Sequence, residues 1–251
     1  MNKYIINHFI GKGSCGNVYK VRHESEGYAL KKVKLLRNLT QTNRSIFNEL
    51  MILKHCHCPY ILKLHEAFLD RSYLCLITPY ANQGNLYQRI RKYKSEGNRF
   101  DEEVIWSYFI QIALGVKYLH DNNIIHRDLK SSNLFIHRNT EKKEIIKIGD
   151  FGISKIIYDN IKSCTVIGTP LYMSPEVLNQ RNYDKKIDLW AMGCILFEMI
   201  ELRPPFTAST FYHLSKKIRL GRYRTCGKRY SNNLTSLIPH LLETNTSARY
   251  T

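Results

Sequence analysis

At Pro79 the texture of the sequence changes. Upstream, residues 4–34 and 61–78 form short runs rich in Val, Ile, Leu and Tyr separated by turn residues, the pattern of paired strands. Between them, NRSIFNELMILKH reads as one helix, entered at a Thr42 or Asn43 cap. Downstream, helical spacing takes over. In DEEVIWSYFIQIALGVKYLH, Asp101 stands at the cap, and Glu102 and Glu103 suit the positive helix end. Ile105, Phe109, Ile112, Val116 and Leu119 recur on one face. A chain of 251 residues, 43% hydrophobic, has material for a core in both parts. The expectation is an α+β fold of two lobes, a small antiparallel sheet with one main helix followed by a larger, mostly helical lobe.

The opening MNKYIINHFIGKG is too short and interrupted for a signal peptide. The later apolar run DLWAMGCILFEMIEL is broken by acids well short of a membrane span. A soluble protein of the cytoplasm and/or nucleus is expected, with no membrane partner. Seven scattered cysteines, an odd number without repeated spacing, argue for reduced thiols. His55, Cys56, His57 and Cys58 are four adjacent metal-capable residues, but structural zinc sites space their ligands in pairs, and no second pair lies near. The metal reading is set aside. A net charge of +17 favours anionic partners, against the plain alternative of a basic, solvated surface. Arg89, Arg91, Lys92 and Lys94, and again Arg219, Arg222, Arg224, Lys228 and Arg229, read as such solvated faces; no nucleic-acid motif accompanies them.

GKGSCGNV, with Gly11, Gly13, Gly16 and Val18, is shared by several phosphate-binding loops. In a dinucleotide-binding fold it opens a helix, yet NVYKVRH has no helical periodicity. A strand–turn–strand hairpin fits better, its glycines letting backbone N–H groups lie close over phosphates. Lys31 lies on the next strand. Glu49 shares the inward face of the expected helix with Ile46 and Leu53, where a carboxylate needs a cation, and Lys31 is the candidate.

HRDLKSSN at 126–133 and DFG at 150–152 follow in order, with SPE at 174–176 beyond them. Together with the glycine loop and Lys31, this set resembles the protein kinase family over essentially the whole chain. The resemblance implies one kinase domain over 1–251, with an N-lobe at 1–78, a hinge at 79–84 and a C-lobe at 85–251. It implies ATP and Mg²⁺ as cofactors and protein Ser/Thr hydroxyls as substrates. Asp128 would receive or orient the hydroxyl proton, Lys130 would offset γ-phosphate charge, and Asn133 and Asp150 would bind the metal through hard oxygens. Lys31 and Glu49 would complete the catalytic set. The ATP site would comprise Gly11, Lys12, Gly13, Ser14, Cys15, Gly16, Val18, Ala29, Lys31, Thr78, Pro79, Ala81 and Phe135. Proline at 79 departs from the usual acidic hinge residue, but adenine is read by backbone groups, which remain. Cys15 departs from the usual aromatic at the loop tip.

The same resemblance makes Thr169 the substrate-loop residue that bonds Asp128 and Lys130. It makes Asp188 a brace of the catalytic loop, pairs Glu176 with Arg249, and stacks Leu53, Leu64, His126 and Phe151 between the lobes. GNLYQRI, QIALGVKYLHDNNIIHRDLKSSNLFI and IGTPLYMSPE are most similar to NIMA-related serine/threonine kinases, a family linked to mitosis, microtubules and cilia. An acidic partner such as tubulin follows as an expectation, and Thr165 becomes the regulatory phosphosite, with Ser163 as runner-up and Arg127 pairing the phosphate. Lys162 stands where relatives prefer an apolar residue, so an upstream kinase is expected. The sequence closes at ARYT, before the last helix and coiled-coil tail of many relatives, and reads as a stripped-down or trimmed kinase. A pseudokinase scaffold would lack one of Lys31, Asp128, Asn133 or Asp150, and all four are present. A Ser/Thr kinase of another family is the remaining alternative. Oligomeric state is not readable.

Overall fold

A computed structural model of the chain describes residues 3–13, 16–34, 50–51, 54–150, 170–180 and 182–250. Five antiparallel strands form the first part: β1 (Ile5–Gly13), β2 (Gly16–His23), β3 (Glu26–Lys34), β4 (Glu66–Asp70) and β5 (Tyr73–Pro79), in the order β1-β2-β3-β5-β4. Side chains alternate across such a sheet. On one face Val21, Tyr28, Leu30, Cys75 and Ile77 close a small core with Tyr4. The opposite face presents Val33, Leu74 and Leu76 to the main core, together with Ile61 and Leu64 from the chain before β4. Lys31 is in register with Val18 on one side and Leu76 on the other, so it shares this second face. The period-two pattern thus aims Lys31 between the lobes.

The second part is helical, with α1 (Leu86–Ser95), α2 (Glu102–Asp121), α3 (Pro175–Leu178), α4 (Lys186–Glu201), α5 (Phe211–Arg219), α6 (Asn232–Thr235) and α7 (Leu237–Leu241). Ile105, Phe109, Ile112, Val116 and Leu119 are all buried, so the stripe read from the sequence is the packing face of α2. Its start differs in detail. Asp101 occupies the cap position in an extended conformation, but its side chain makes no capping hydrogen bond. The carbonyl of Asp101 accepts from Val104 and Ile105 instead. Nearly every residue of α4 is buried, including Asp188 and Glu198, and α4 is the axis of the lobe. Among the described residues no helix is long and apolar enough to cross a membrane.

Between the parts lies a short hairpin, β6 (Leu134–Arg138) and β7 (Glu144–Ile148). Ile61 bridges Ile148 in parallel, with Ile148 N–H donating to the Tyr60 carbonyl and Leu62 N–H to the Ile148 carbonyl, both at 2.8 Å. The connecting segment is also tied down by Asn85, which bridges Phe135 and caps α1 with a reciprocal bond to Gln88. Leu50, Met51 and Lys54 are helical and His55 lies in a turn, whereas the rest of the expected helix, from its Thr42 or Asn43 entry to Glu49 and at residues 52 and 53, lies outside the described residues.

Candidate active site

The glycine loop is a hairpin, as its lack of helical periodicity indicated: β1 pairs β2 down to Gly13 opposite Gly16. Gly16 is required by the sheet itself. A Cβ there would stand 2.0 Å from the Lys32 carbonyl oxygen, whereas at Gly11 it would meet nothing within 4 Å. Lys12 and Val18 lie on the two strands, and Ser14 and Cys15 are outside the described residues.

The segment after α2 carries the candidate catalytic residues. It is held from below by one carboxylate. Asp188, 1% exposed, accepts from the backbone N–H groups of His126 (2.8 Å) and Arg127 (3.1 Å), and His120 Nε2 lies 2.9 Å from the same side chain. Arg127 is thereby fixed at φ 64°, a left-handed conformation that costs a non-glycine residue about 1–2 kcal/mol. His126 is fully buried. Its Nε2 faces the Gly149 carbonyl at 3.1 Å and its Nδ1 accepts from the Asp128 N–H at 3.3 Å, which defines a neutral imidazole. Burial lowers its pKa, outweighing the Asp188 carboxylate that raises it.

Above this brace sits the polar cluster. Lys130 Nζ donates to Asp128 Oδ2 at 2.8 Å. Asn133, on the 3-10 turn Ser131–Asn133, donates through Nδ2 to the Asp128 carbonyl at 2.8 Å and to Oδ2 at 3.2 Å. Asn133's carbonyl accepts from the Gly149 N–H at 2.9 Å, which brings Asp150 alongside. Asp150 is also left-handed, at φ 56°, and its Oδ1 accepts from Lys31 Nζ at 2.7 Å. Lys31 is 13% exposed and Asp150 31%, so the pair bridges the two lobes in a partly shielded place. Five residues separated by up to 119 positions in sequence are therefore contiguous.

The donor set suits a hard cation. The Asn133 amide nitrogen is engaged by Asp128, which turns its oxygen the other way, and Asp150 supplies carboxylate oxygen. At the strand that leads out of the sheet, Ala29 is in register with Thr78, and Pro79 is the last residue of β5. Tyr80 N–H donates to the Gly27 carbonyl, and among the described residues the Ala81 N–H makes no hydrogen bond. Phe135 packs beneath Gly149, where an added Cβ would meet its ring at 2.9 Å.

Two supporting clusters escaped the sequence reading. Tyr172 donates to Glu198 at 2.6 Å and lies 2.9 Å from Ser131 Oγ, tying the turn at 131–133 to the chain before α3. Burial raises the Glu198 pKa despite the tyrosine bond. In the second cluster, Arg89 is not a solvated cation: both guanidinium nitrogens grip Glu144, at 3.1 and 3.2 Å, where Arg138 (2.7 Å) and Tyr108 also donate. Its side chain is only 19% exposed. Arg219, Arg222, Arg224, Lys228 and Arg229 are exposed. The Glu176–Arg249 pair is present, bidentate at 2.7 and 3.1 Å, with the guanidinium over Trp190. Leu64 and His126 are buried, whereas Leu53 and Phe151 lie outside the described residues, as do Glu49, Ser163, Thr165 and Thr169. Cys56 is buried and Cys58 half-buried, and among the described residues no cluster of three or more His, Cys, Asp or Glu is placed to hold a metal.

Residues 4–251 match the protein kinase domain family. The chain belongs to the protein kinase family. Among its relatives, mouse serine/threonine-protein kinase Nek5 is 36% identical over 244 residues, covering 96% of this chain and 38% of Nek5. Mouse Nek3 is 36% identical over 252 residues, with 99% and 48% covered. Human Nek11 is 36% identical over 254 residues, with 98% and 38% covered. The chain thus spans less than half the length of these three relatives. All three relatives are named serine/threonine-protein kinases, and the similarity runs through the kinase domain.

Proposed function

We propose that this kinase domain transfers the γ-phosphate of ATP to serine or threonine hydroxyls of protein substrates through the cluster just described. The observation that carries the reading is the contiguity of Lys31, Asp128, Lys130, Asn133 and Asp150 across the lobe boundary. Asp128 takes or orients the proton of the incoming hydroxyl, and Lys130 holds the Asp128 carboxylate in place and offsets charge on the transferring group. Lys31 exchanges Asp150 for the nucleotide phosphates. Asn133 and Asp150 would hold Mg²⁺, which when bound would neutralise charge on those phosphates. The glycine hairpin of Gly11, Gly13 and Gly16 covers the phosphates, and the Ala81 N–H and Pro79 carbonyl read adenine. Pairing of Lys31 with Glu49, and of Thr169 with Asp128, belongs to the same reading.

The test is phosphate transfer from ATP to a basic protein substrate. Asp128→Asn should lower turnover about 10²–10⁴-fold, the usual worth of a positioned acid–base group, with folding and ATP binding kept. Lys31→Met should also fold but misplace the phosphates. Near-normal turnover in both variants would sink the mechanism, and an inactive but ATP-binding wild type would favour a scaffold.

The finer reading places the protein in cell-cycle or microtubule-linked signalling in the cytoplasm or nucleus, with an acidic partner surface such as tubulin tails. Its support is the family likeness and the +17 charge. Regulation falls to Thr165, or next to Ser163, where a phosphate brings close to two negative charges toward Arg127. Phosphatase treatment should reduce wild-type turnover and leave Thr165→Ala unchanged. An unaltered wild type removes Thr165 as the switch.

A further inference from the structure

Beside the segment that joins the lobes, two shallow cavities of about 350 and 370 Å³ share Lys63 and Pro79. Lys54, His55 and His65 wall the first, and His57, His137 and Lys147 wall the second. With Lys63 this makes three lysines and four histidines among the described residues, and no described carboxylate lines either cavity. The floor is apolar, made by Leu62, Leu64, Pro79 and Ala81. Among the described residues, Lys54, Lys63 and Lys147 form no ion pair, whereas Lys3, Lys32 and Lys117 elsewhere each hold a carboxylate. Lys147 is backed by the Pro59 carbonyl, to which its Nζ donates at 2.5 Å, and burial lowers its pKa. An ammonium held this way is stabilised by an incoming anion.

We infer that this groove docks an acidic peptide segment of a protein partner, its carboxylates on the lysine rim and its aliphatic side chains on the floor. Charge complementarity selects the anion, and the apolar floor selects a peptide over free phosphate. A single nucleic-acid strand needs open aromatic faces. Tyr80, the one phenol ring among the described lining residues, already has its face covered by Lys20 Nζ at 4.5 Å. The walls come from the chain before β4, from the joining segment and from the β6–β7 hairpin, so an occupant touches both lobes. The floor shares Pro79 and Ala81 with the adenine reading, whereas the lysine rim that the test alters takes no part in the catalytic assignment.

A short fluorescent peptide alternating Glu and Leu provides the probe, read by anisotropy at low and physiological salt. It should bind wild type and Asp128→Asn equally. Affinity should fall steeply with salt, and about tenfold in the double variant Lys54→Glu/Lys63→Glu, the combined effect of reversing two exposed charges. Both positions are exposed, so the fold should survive, which a melting curve checks. A Gln–Leu peptide should bind more weakly by a similar factor. Arg222→Glu/Arg224→Glu, on an exposed face of the helical lobe, should leave affinity within about twofold. The proposal is overturned if Lys54→Glu/Lys63→Glu binds like wild type, or if the distant reversal weakens binding as much. It is equally overturned if a single-stranded oligonucleotide displaces the peptide more effectively than unlabelled peptide does.

Discussion

Asp188 sits directly beneath His126 and holds its backbone: the buried carboxylate accepts the His126 N–H at 2.8 Å. With a second bond to Arg127 it keeps the candidate catalytic turn in a conformation the chain would otherwise avoid. Asp188→Asn presents an amide donor to one of two N–H groups. Stability should fall by about 1.5–3 kcal/mol, the worth of a hydrogen bond to a charged group. Turnover should fall further than that loss of folded protein explains. Wild-type melting and turnover in the variant would show that the loop holds its own shape.

Arg249 is buried against Glu176, and its Nε also donates to the Glu243 carbonyl at 2.8 Å. Arg249→Ala strands the glutamate and should cost about 3–5 kcal/mol in urea unfolding. Arg249→Lys should recover little, because an ammonium cannot form the two-pronged contact. A loss below about 1 kcal/mol would mean that water relieves the carboxylate.

The two glycines at the ends of the loop should separate by readout. Gly16→Ala forces β2 away from the Lys32 carbonyl and should cost about 1–3 kcal/mol of stability. Gly11→Ala has open space and should change stability by less than about 0.5 kcal/mol, with any effect confined to the KM for ATP. Equal melting losses in the two variants would contradict this division.

Glu144 makes stability depend on pH. Burial pushes its carboxyl up, but bonds from Arg89, Tyr108 and Arg138 more than reverse that and bring it to about 2, from an ordinary 4.5. A group depressed in the folded state contributes its full stability above 4.5 and loses it as pH falls toward 2. Glu144→Gln should therefore be less stable at pH 7, by about 1–3 kcal/mol. The difference from wild type should narrow steadily between those two pH values. Parallel curves for the two proteins would remove Glu144 as the source.

The contiguity of the candidate catalytic turn was legible because its residues are bunched: His126, Asp128, Lys130 and Asn133 lie within eight positions, and the proposed phosphoryl transfer constrains their types. The Glu176–Arg249 and Asp188 contacts came with the family likeness, and the geometry agrees with both. Arg89 was misread because its three cationic neighbours describe a solvated helix face. Its partner Glu144 is 55 residues away, and no local pattern announces such a contact. Glu198 was noticed only as an acid interrupting an apolar run. That it is tolerated inside α4 depends on Tyr172 donating from a different segment. Asp101 shows the converse limit: the residue type suits a cap, yet the side chain does not take the bond.

The strand-like pairing of Tyr60 and Leu62 with Ile148 has a mechanical consequence. These residues precede β4, yet they are stitched to the hairpin of the helical half, with Lys147 clasping Pro59 and Tyr118 accepting the His57 N–H. The chain accordingly crosses between the halves at residues 62–66 as well as at 79–84. Two straps side by side permit rocking about the line that joins them and resist swivelling across it. A joint of this kind favours approach and separation of Lys31 and Asp150 over sliding of one half across the other.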